Sequence, residues 1–83
     1  DHHITNAIKD NAMQMCKNGL SAIGGRPVVK SEDVDGFKFY VNEDEWIMVR
    51  ASGTEPVLRI YAQAPSIDKC RSLLDAAKST LIG

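Results

Sequence analysis

One short polar segment of the chain, RASGTEP, lies between two apolar runs and contains the residue types that bind phosphate. Arg50 carries a planar guanidinium whose donors match phosphate oxygens. Ser52 and Thr54 add hydroxyl donors. Gly53 has no Cβ to keep backbone N–H groups away from a ligand. With Arg59 a few residues further on, the segment predicts a phosphate site. The alternative is an ordinary strand connection, because Gly, Ser and Pro are common in turns.

Other chemically active side chains give no comparable pattern. Residues 42–45, Asn-Glu-Asp-Glu, predict a solvated polar turn, because the three carboxylates are consecutive and lack the spacing of a calcium loop. His2 and His3 lie near the chain end, where fraying is common, and no catalytic role is predicted for them. Cys16 and Cys70 fall on apolar helix faces, which favours reduced core residues, although the sequence alone also allows a disulfide. No catalytic residue and no metal ligand is predicted.

Length and composition restrict the function classes. The 83 residues suffice for one small domain, which would bury about 60% of the surface that its unfolded chain exposes. A net charge of -1 argues against non-specific nucleic-acid binding. No apolar run approaches the roughly 20 residues of a membrane span, and the polar start contains no signal peptide. We therefore expect no nucleic-acid or membrane partner and a cytoplasmic location. Since the chain begins without Met, we also expect a fragment of a longer product.

Apolar residues at helical spacing predict a helix near the start of the chain. They are Ile4, Ile8, Ala12 and Met15. This helix should end at Asn18-Gly19, because glycine can take the left-handed conformation of a C-cap.

A hairpin is predicted in the middle of the chain. Residues 20–26 are rich in Gly and Ser and predict an irregular connection, and residues 28–34 predict a strand. Asp35-Gly36 is typical of a two-residue hairpin turn, because both residue types tolerate positive φ. In the returning strand, Phe37, Phe39 and Val41 share one face, and Lys38, Tyr40 and Asn42 share the other.

Two further strands flank the polar segment, each with a two-residue period. One face carries only apolar side chains: Ile47, Val49, Ala51, Leu58, Ile60 and Ala62. The predicted second helix begins at the N-cap Ser66, with Asp68 in its first turn. Its apolar stripe consists of Ile67, Cys70, Leu74, Ala77 and Leu81.

These elements predict an α+β fold, in which two helices cover one face of a four-stranded, mainly antiparallel sheet. The result is a two-layer sandwich. The opposite sheet face carries Lys38, Tyr40, Trp46, Met48, Arg50, Arg59 and Tyr61. Trp, Tyr, Met and Arg are enriched at interface cores, so this face predicts contact with another domain or a ligand. The alternative is an ordinary solvent-exposed sheet face.

The polar segment and its flanking strands resemble a known family. Residues 45–64, EWIMVRASGTEPVLRIYAQA, are similar to the phosphate-binding signature of the C-terminal domain of α-D-phosphohexomutases, most of all in the phosphomannomutase/phosphoglucomutase group. The resemblance implies that residues 1–83 are the single C-terminal domain, the fourth, of a larger four-domain enzyme. Such enzymes interconvert hexose 1-phosphates and hexose 6-phosphates through a bisphosphorylated intermediate.

The resemblance also implies which residues act and what they bind. The substrate phosphate would be held by Arg50, Ser52, Gly53, Thr54 and Arg59, with the other domains of the same chain as further partners. Mg²⁺ and a hexose 1,6-bisphosphate activator are implied for the full-length enzyme and no cofactor for this fragment. The fragment alone would not be catalytic, because it has no Thr-x-Ser-His-x-Pro nucleophile segment and no Asp-Gly-Asp-x-Asp-Arg metal loop.

Two alternatives and one residue role stay open. The chain could be a stand-alone module that binds a phosphorylated metabolite without catalysis. A four-stranded sheet with exposed aromatics could also stack RNA bases, although the balanced charge argues against it. Glu55 would repel a bound phosphate, so it is not predicted to contact one. It could instead orient an arginine or hydrogen-bond a sugar hydroxyl.

Overall fold

The computed structural model describes residues 2–33 and 36–82. These residues contain two helices and seven strands. In chain order they are β1 (His2–His3), α1 (Asn6–Asn18), β2 (Ala22–Ile23), β3 (Arg26–Pro27), β4 (Lys30–Asp33), β5 (Phe37–Tyr40), β6 (Trp46–Ala51), β7 (Val57–Gln63) and α2 (Ile67–Leu81). No helix in this described part is long and apolar enough to span a membrane.

The main sheet is an antiparallel meander with one short addition. Its strand order is β1-β7-β6-β5-β4, so the last four strands of the chain pair in sequence. This confirms the predicted α+β architecture. The two-residue strand β1 joins the edge of β7, where His2 pairs with Leu58 and His3 with Val57. The expectation that the two histidines lie on a frayed terminus is therefore wrong, since their backbone extends the sheet.

The core lies between the sheet and both helices. Strands β5 to β7 contribute Phe39, Ile47, Val49 and Leu58, each at most 1% exposed. Helix α1 contributes Ala12 and Cys16, and α2 contributes Leu73, Ala77 and Leu81. The alternation predicted for β6 is confirmed, because Ile47 and Val49 are buried while Arg50 is exposed.

Both helix starts and the end of α1 follow local sequence signals. The Thr5 hydroxyl accepts a hydrogen bond from Ile8 N–H at 3.2 Å, and the Ser66 hydroxyl accepts one from Lys69 N–H at 3.2 Å. Gly19 ends α1 with φ 92°. The predicted N-cap Ser66 of α2 and the predicted end of α1 at Asn18-Gly19 are therefore confirmed. Such caps provide hydrogen-bond partners for backbone groups that have none within the helix.

The apolar stripe of α2 differs from its prediction at the first turn. Leu73, Ala77 and Leu81 are buried, whereas Ile67 is 73% exposed. Residues four apart lie on one helix face, so Leu73 rather than Leu74 continues the line of Ala77 and Leu81. Ile67 is the first residue of α2. Its prediction as a core residue is wrong.

The two cysteines are free thiols. Burial raises the pKa of the Cys16 thiol to about 11, so it stays protonated at neutral pH. The Cys70 thiol donates to the Ala62 carbonyl at 3.4 Å. The predicted reduced state is confirmed; Cys16 is a core residue, as predicted, whereas Cys70 is only partly buried.

A second, two-stranded sheet occupies the segment for which an irregular connection was predicted. Strands β2 and β3 pair through Ala22 with Pro27 and Ile23 with Arg26. The turn between them has Gly24 at φ 56° and Gly25 at φ 84°. A Cβ on Gly24 would lie 2.5 Å from the Ala76 Cβ, so the hairpin packs directly on α2. The prediction failed because β2 and β3 contain only two residues each, too few for a periodic signal.

Glu45 is the one part of the acidic turn that is not solvated. Its side chain accepts from Arg26 at 2.9 and 3.1 Å and from Asn42 at 2.8 Å, and the residue is only 7% exposed. Glu43 and Asp44 are exposed, as predicted. The hydrogen bonds from Arg26 and then Asn42 lower the pKa of Glu45 from 4.5 to about 2. The Arg26–Glu45 pair joins the β2–β3 hairpin to the turn before β6.

This pair predicts a pH-dependent stability. The folded-state pKa of Glu45 lies below its unfolded value, so its stabilisation is complete above about pH 4.5 and is lost as the pH falls towards 2. Glu45→Gln should therefore unfold at lower urea concentration than wild type at pH 7, and the difference should shrink at pH 2.5. Glu43→Gln, at an exposed position of the same turn, is the control. A difference that persists unchanged at pH 2.5 would contradict the assignment.

Strand β4 forms one edge of the main sheet and has only polar side chains. Its sequence is Lys30, Ser31, Glu32 and Asp33. The Lys30 ammonium lies 3.3 Å from a Glu32 carboxylate oxygen, and the Tyr40 hydroxyl donates to the other oxygen at 3.1 Å. At the opposite edge, β1 is two residues long.

Candidate phosphate-binding site

The β6–β7 loop, residues 52–56, closes on itself through its own polar atoms. Ser52 N–H donates to the Val57 carbonyl at 3.1 Å, and Val57 N–H donates to the Glu55 carbonyl at 2.8 Å. The Ser52 hydroxyl oxygen accepts from Thr54 N–H at 3.4 Å and from Glu55 N–H at 3.2 Å. A hydroxyl that accepts these bonds still has a hydrogen to donate. The loop therefore has a conformation that its own hydrogen bonds stabilise.

The loop leaves its predicted ligand groups open to solvent. Gly53, Thr54 and Glu55 are exposed and Ser52 is half-buried. A Cβ on Gly53 would have no heavy atom within 4 Å, so the backbone there can be approached closely. The Glu55 side chain is exposed, and its backbone N–H and carbonyl help to close the loop.

Arg50 and Arg59 lie beside the loop, directly opposite each other on β6 and β7. Both are exposed. Because Val49 and Ile47 face the core, the two arginines lie on the opposite, open face of the sheet. Two like charges directly opposite in neighbouring strands destabilise a sheet.

Gly36 leaves space for the aliphatic part of the Arg50 side chain. A Cβ on Gly36 would lie 2.6 Å from the Arg50 Cγ and 2.9 Å from the Val49 carbonyl oxygen. The residue has φ 147°, a conformation that favours glycine. The sequence predicted this glycine as part of a hairpin turn with Asp35, which lies outside the described residues. The structure adds that Gly36 makes room for the arginine.

Lys9 of α1 contacts the loop from the helix side, which sequence reasoning missed. Its ammonium donates to the Ser52 carbonyl at 3.3 Å and to the Glu55 carbonyl at 3.4 Å. Close by, Ile4 N–H donates to the Pro56 carbonyl at 2.9 Å. The contact joins residues 43 positions apart, so no local pattern could reveal it.

The open sheet face also carries stacked cations and aromatic rings. The Lys38 ammonium lies 4.0 Å from the centre of the Trp46 ring and 4.9 Å from that of Tyr40. Lys30 lies 5.3 Å from the Tyr40 ring centre. These are cation–π distances. Met48 and Tyr61 are cross-strand partners, and this pair lies between the cation–π group and the pair of arginines. The strand register therefore places all seven residues predicted for this face on the same side of the sheet.

A cleft of about 320 Å³ lies elsewhere, at the start of α2. It is lined by Arg26, Glu45, Asp68, Lys69 and Ser72. The Arg26 guanidinium is paired with Glu45, and Asp68 adds negative charge. With Lys69, the lining of this cleft therefore carries two positive and two negative side chains.

Relatives of the chain are enzymes of one reaction type with different sugars in their names. A phosphoglucomutase/phosphomannomutase from Thermococcus kodakarensis is 46% identical over 46 residues, which cover 55% of this chain and 10% of that protein. A phosphopentomutase from the same organism is 40% identical over 48 residues, covering 58% and 11%. A phosphoglucosamine/phosphogalactosamine mutase from Sulfurisphaera tokodaii is 38% identical over 55 residues, covering 66% and 12%.

The chain spans about a tenth of the length of these curated relatives. The family model described as phosphoglucomutase/phosphomannomutase, C-terminal domain, matches residues 7–78. That match includes both helices up to Lys78, the strands β2 to β7 and the β6–β7 loop. The chain therefore belongs to the phosphoglucomutase/phosphomannomutase C-terminal domain family, the C-terminal domains of α-D-phosphohexomutases.

Proposed function

We propose that this domain binds the phosphate group of a phosphosugar. The binding residues are Arg50, Ser52, Gly53, Thr54 and Arg59. The observation that carries the proposal is the cross-strand pair of exposed arginines beside a polar loop that its own hydrogen bonds stabilise. Guanidinium groups bind phosphate through two parallel hydrogen bonds, and the exposed hydroxyl of Thr54 and backbone at Gly53 can add neutral donors.

The sugars in the names of the relatives support a site that binds the phosphate rather than the sugar ring. Those names mention glucose, mannose, pentose, glucosamine and galactosamine, whereas the mutase reaction of a phosphosugar is common to them. Hydroxyls, backbone N–H groups and arginines hydrogen-bond to the phosphate oxygens, which all phosphate monoesters share. The substrate class of the proposal is therefore a phosphosugar, with hexose phosphates as its first members.

In the enzyme that carries this domain, the proposed reaction interconverts hexose 1-phosphate and hexose 6-phosphate through a bisphosphorylated intermediate. The domain would hold the phosphate that does not react in a given step. Binding energy from this remote phosphate can orient the other end of the sugar at the reacting group. Closure of the domain over the sugar would also exclude water, which otherwise hydrolyses a phosphorylated enzyme.

Catalysis itself is assigned to other parts of that enzyme. The sequence has no nucleophile segment and no metal loop of the family. Within residues 2–33 and 36–82, no three His, Cys, Asp or Glu side chains come together as a metal site. Mg²⁺ and a hexose 1,6-bisphosphate activator thus belong to the proposal for the whole enzyme, and no step is assigned to them here.

A titration of the ¹⁵N-labelled chain with glucose 6-phosphate tests phosphate binding. In sulfate-free buffer at constant ionic strength, we expect saturable shifts centred on the amides of Ser52, Gly53 and Thr54. These shifts are measurable even at a dissociation constant of about 1 mM. Glucose, which lacks the phosphate, is the matched control and should leave these amides unchanged. Loop amides that do not respond to glucose 6-phosphate would overturn the proposal.

Gly36→Ala is expected to weaken this binding although it replaces none of the proposed binding residues. The added methyl would lie 2.6 Å from the Arg50 Cγ, so the arginine stem must move. Non-glycine residues at positive φ also cost roughly 1–2 kcal/mol of stability. Gly25→Ala has the same kind of backbone strain at φ 84°, but its Cβ would have no heavy atom within 4 Å. Equal affinity of the two variants for glucose 6-phosphate would show that Gly36 does not position Arg50.

A further inference from the structure

We propose that Lys9 is a positioning residue that directs the backbone of the β6–β7 loop towards a bound phosphate. The inference rests on the proposed phosphate-binding function and assigns one more residue to it. It starts from the two hydrogen bonds of the Lys9 ammonium, to the carbonyls of Ser52 and Glu55. These carbonyls lie at the two ends of the exposed turn, so one cation fixes both ends.

The hydrogen bond from Lys9 to the Ser52 carbonyl also sets the orientation of the peptide group between Ser52 and Gly53. In a trans peptide, the carbonyl oxygen and the following N–H point in opposite directions. A Ser52 carbonyl that is held on the Lys9 ammonium therefore directs Gly53 N–H away from Lys9. Without that ammonium, the peptide could rotate and present its carbonyl oxygen to the ligand, which a phosphate would repel. The amide of Gly53 is the donor that the proposed site needs most directly.

Helix α1 places Lys9 where this role is possible. Thr5 caps the helix, and Ile4 N–H is bonded to the Pro56 carbonyl, so the first turn of α1 is held against the loop. Lys9 is only half-buried, yet its ammonium contacts backbone carbonyls and not a carboxylate. Its positive charge is therefore not neutralised by a partner in these contacts. It adds to the positive potential of Arg50 and Arg59 for an incoming anion.

The test compares Lys9→Met with Lys9→Arg and Lys17→Met in the ¹⁵N titration with glucose 6-phosphate. Methionine extends as far as Cε of lysine and has a similar helix propensity, but it lacks the ammonium. Lys17 is exposed in the last turn of the same helix, so Lys17→Met removes the same charge without a loop contact. We expect Lys9→Met to bind about tenfold more weakly, which corresponds to about 1.4 kcal/mol. We expect Lys17→Met and Lys9→Arg to bind nearly as wild type does.

The Gly53 amide supplies a readout that a general loss of stability would not change. In wild type and Lys9→Arg, saturating glucose 6-phosphate should shift this amide downfield, as expected for a new hydrogen bond. In Lys9→Met the shift should be reduced even at saturation. Wild-type affinity and a wild-type Gly53 shift in Lys9→Met would overturn the inference while phosphate binding stands. Wild-type protein that does not bind would overturn phosphate binding, and this inference with it.

The same spectra show whether each variant is folded. Should Lys9→Met lack a dispersed spectrum, Lys9→Gln replaces it, since glutamine is neutral and still offers an N–H donor. Binding by Lys9→Gln that is as tight as by Lys17→Met would then overturn the role of the charge at position 9.

Discussion

Arg50→Ala is expected to weaken the binding of a phosphosugar about 10- to 100-fold. A hydrogen bond to a charged group contributes roughly 1.5–3 kcal/mol, so the net loss of one such bond weakens binding about 10- to 100-fold. The side chain is exposed on the open sheet face, so its removal leaves no cavity in the core. We therefore expect wild-type stability. In the enzyme that carries this domain, KM for the phosphosugar should rise and kcat/KM should fall by a similar factor.

Two matched variants separate geometry from charge. Arg50→Lys keeps the charge but replaces the planar fork by an ammonium, so it should also be impaired, though less than Arg50→Ala. Arg71→Ala removes the same side chain from an exposed position of α2 and should bind as wild type does. Unchanged kcat/KM in Arg50→Ala would contradict the assignment of Arg50 as a phosphate ligand.

Ile47→Ala is expected to destabilise the fold by about 2–5 kcal/mol, the range found for deletion of a buried isoleucine or leucine side chain. Ile47 is 0% exposed and packs in the cluster that joins β6 to both helices. Small domains have only about 5–15 kcal/mol of stability in total, so this variant should lose a large part of it. Urea unfolding followed by circular dichroism measures the change.

Ile67→Ala makes the same chemical change at a position that is 73% exposed. We expect a change within about 0.5 kcal/mol, as for other surface substitutions. The sequence alone predicted Ile67 as part of the apolar stripe of α2, so the pair of variants tests the structural correction directly. If Ile67→Ala lowered the free energy of unfolding as much as Ile47→Ala does, the Ile67 side chain would be buried and the correction would be wrong.

Elements with a strong local signal could be predicted from the sequence. The more and less buried residues alternate along β6 and, from Leu58 onwards, along β7, and the pairing of the two strands follows from the short polar segment between them. The start of α2 at Ser66 follows from a capping side chain that bonds three residues away. In each case the residues that decide the structure are neighbours in the chain.

Features that depend on distant residues were missed. Nothing in the vicinity of His2 and His3 indicates that they pair with β7, more than fifty positions away. Glu45 looks like a turn carboxylate until Arg26 of the β2–β3 hairpin is placed beside it. Lys9 likewise looks like an ordinary helix lysine until its contact with Ser52 is known.

In the candidate site too, the residues that are close in sequence were predicted and the more distant ones were not. Arg50, Ser52, Gly53, Thr54 and Arg59 are close in sequence, and their residue types alone indicated phosphate chemistry. The structure places all five at or beside one loop. The residues that support this group, Lys9 and Gly36, come from other elements, so only the three-dimensional arrangement reveals them.

The edges of the main sheet limit how the domain can associate with other chains. A neighbouring strand adds most easily to a long apolar edge with free backbone groups. Here β4 presents Lys30, Glu32 and Asp33 along one edge, and β1 offers only two residues at the other. An incoming strand would have to place its side chains beside these charges. Strand addition at the β4 edge is thus disfavoured, whereas at the opposite edge β1 covers only Val57 and Leu58 and leaves residues 59–63 of β7 as the outer strand.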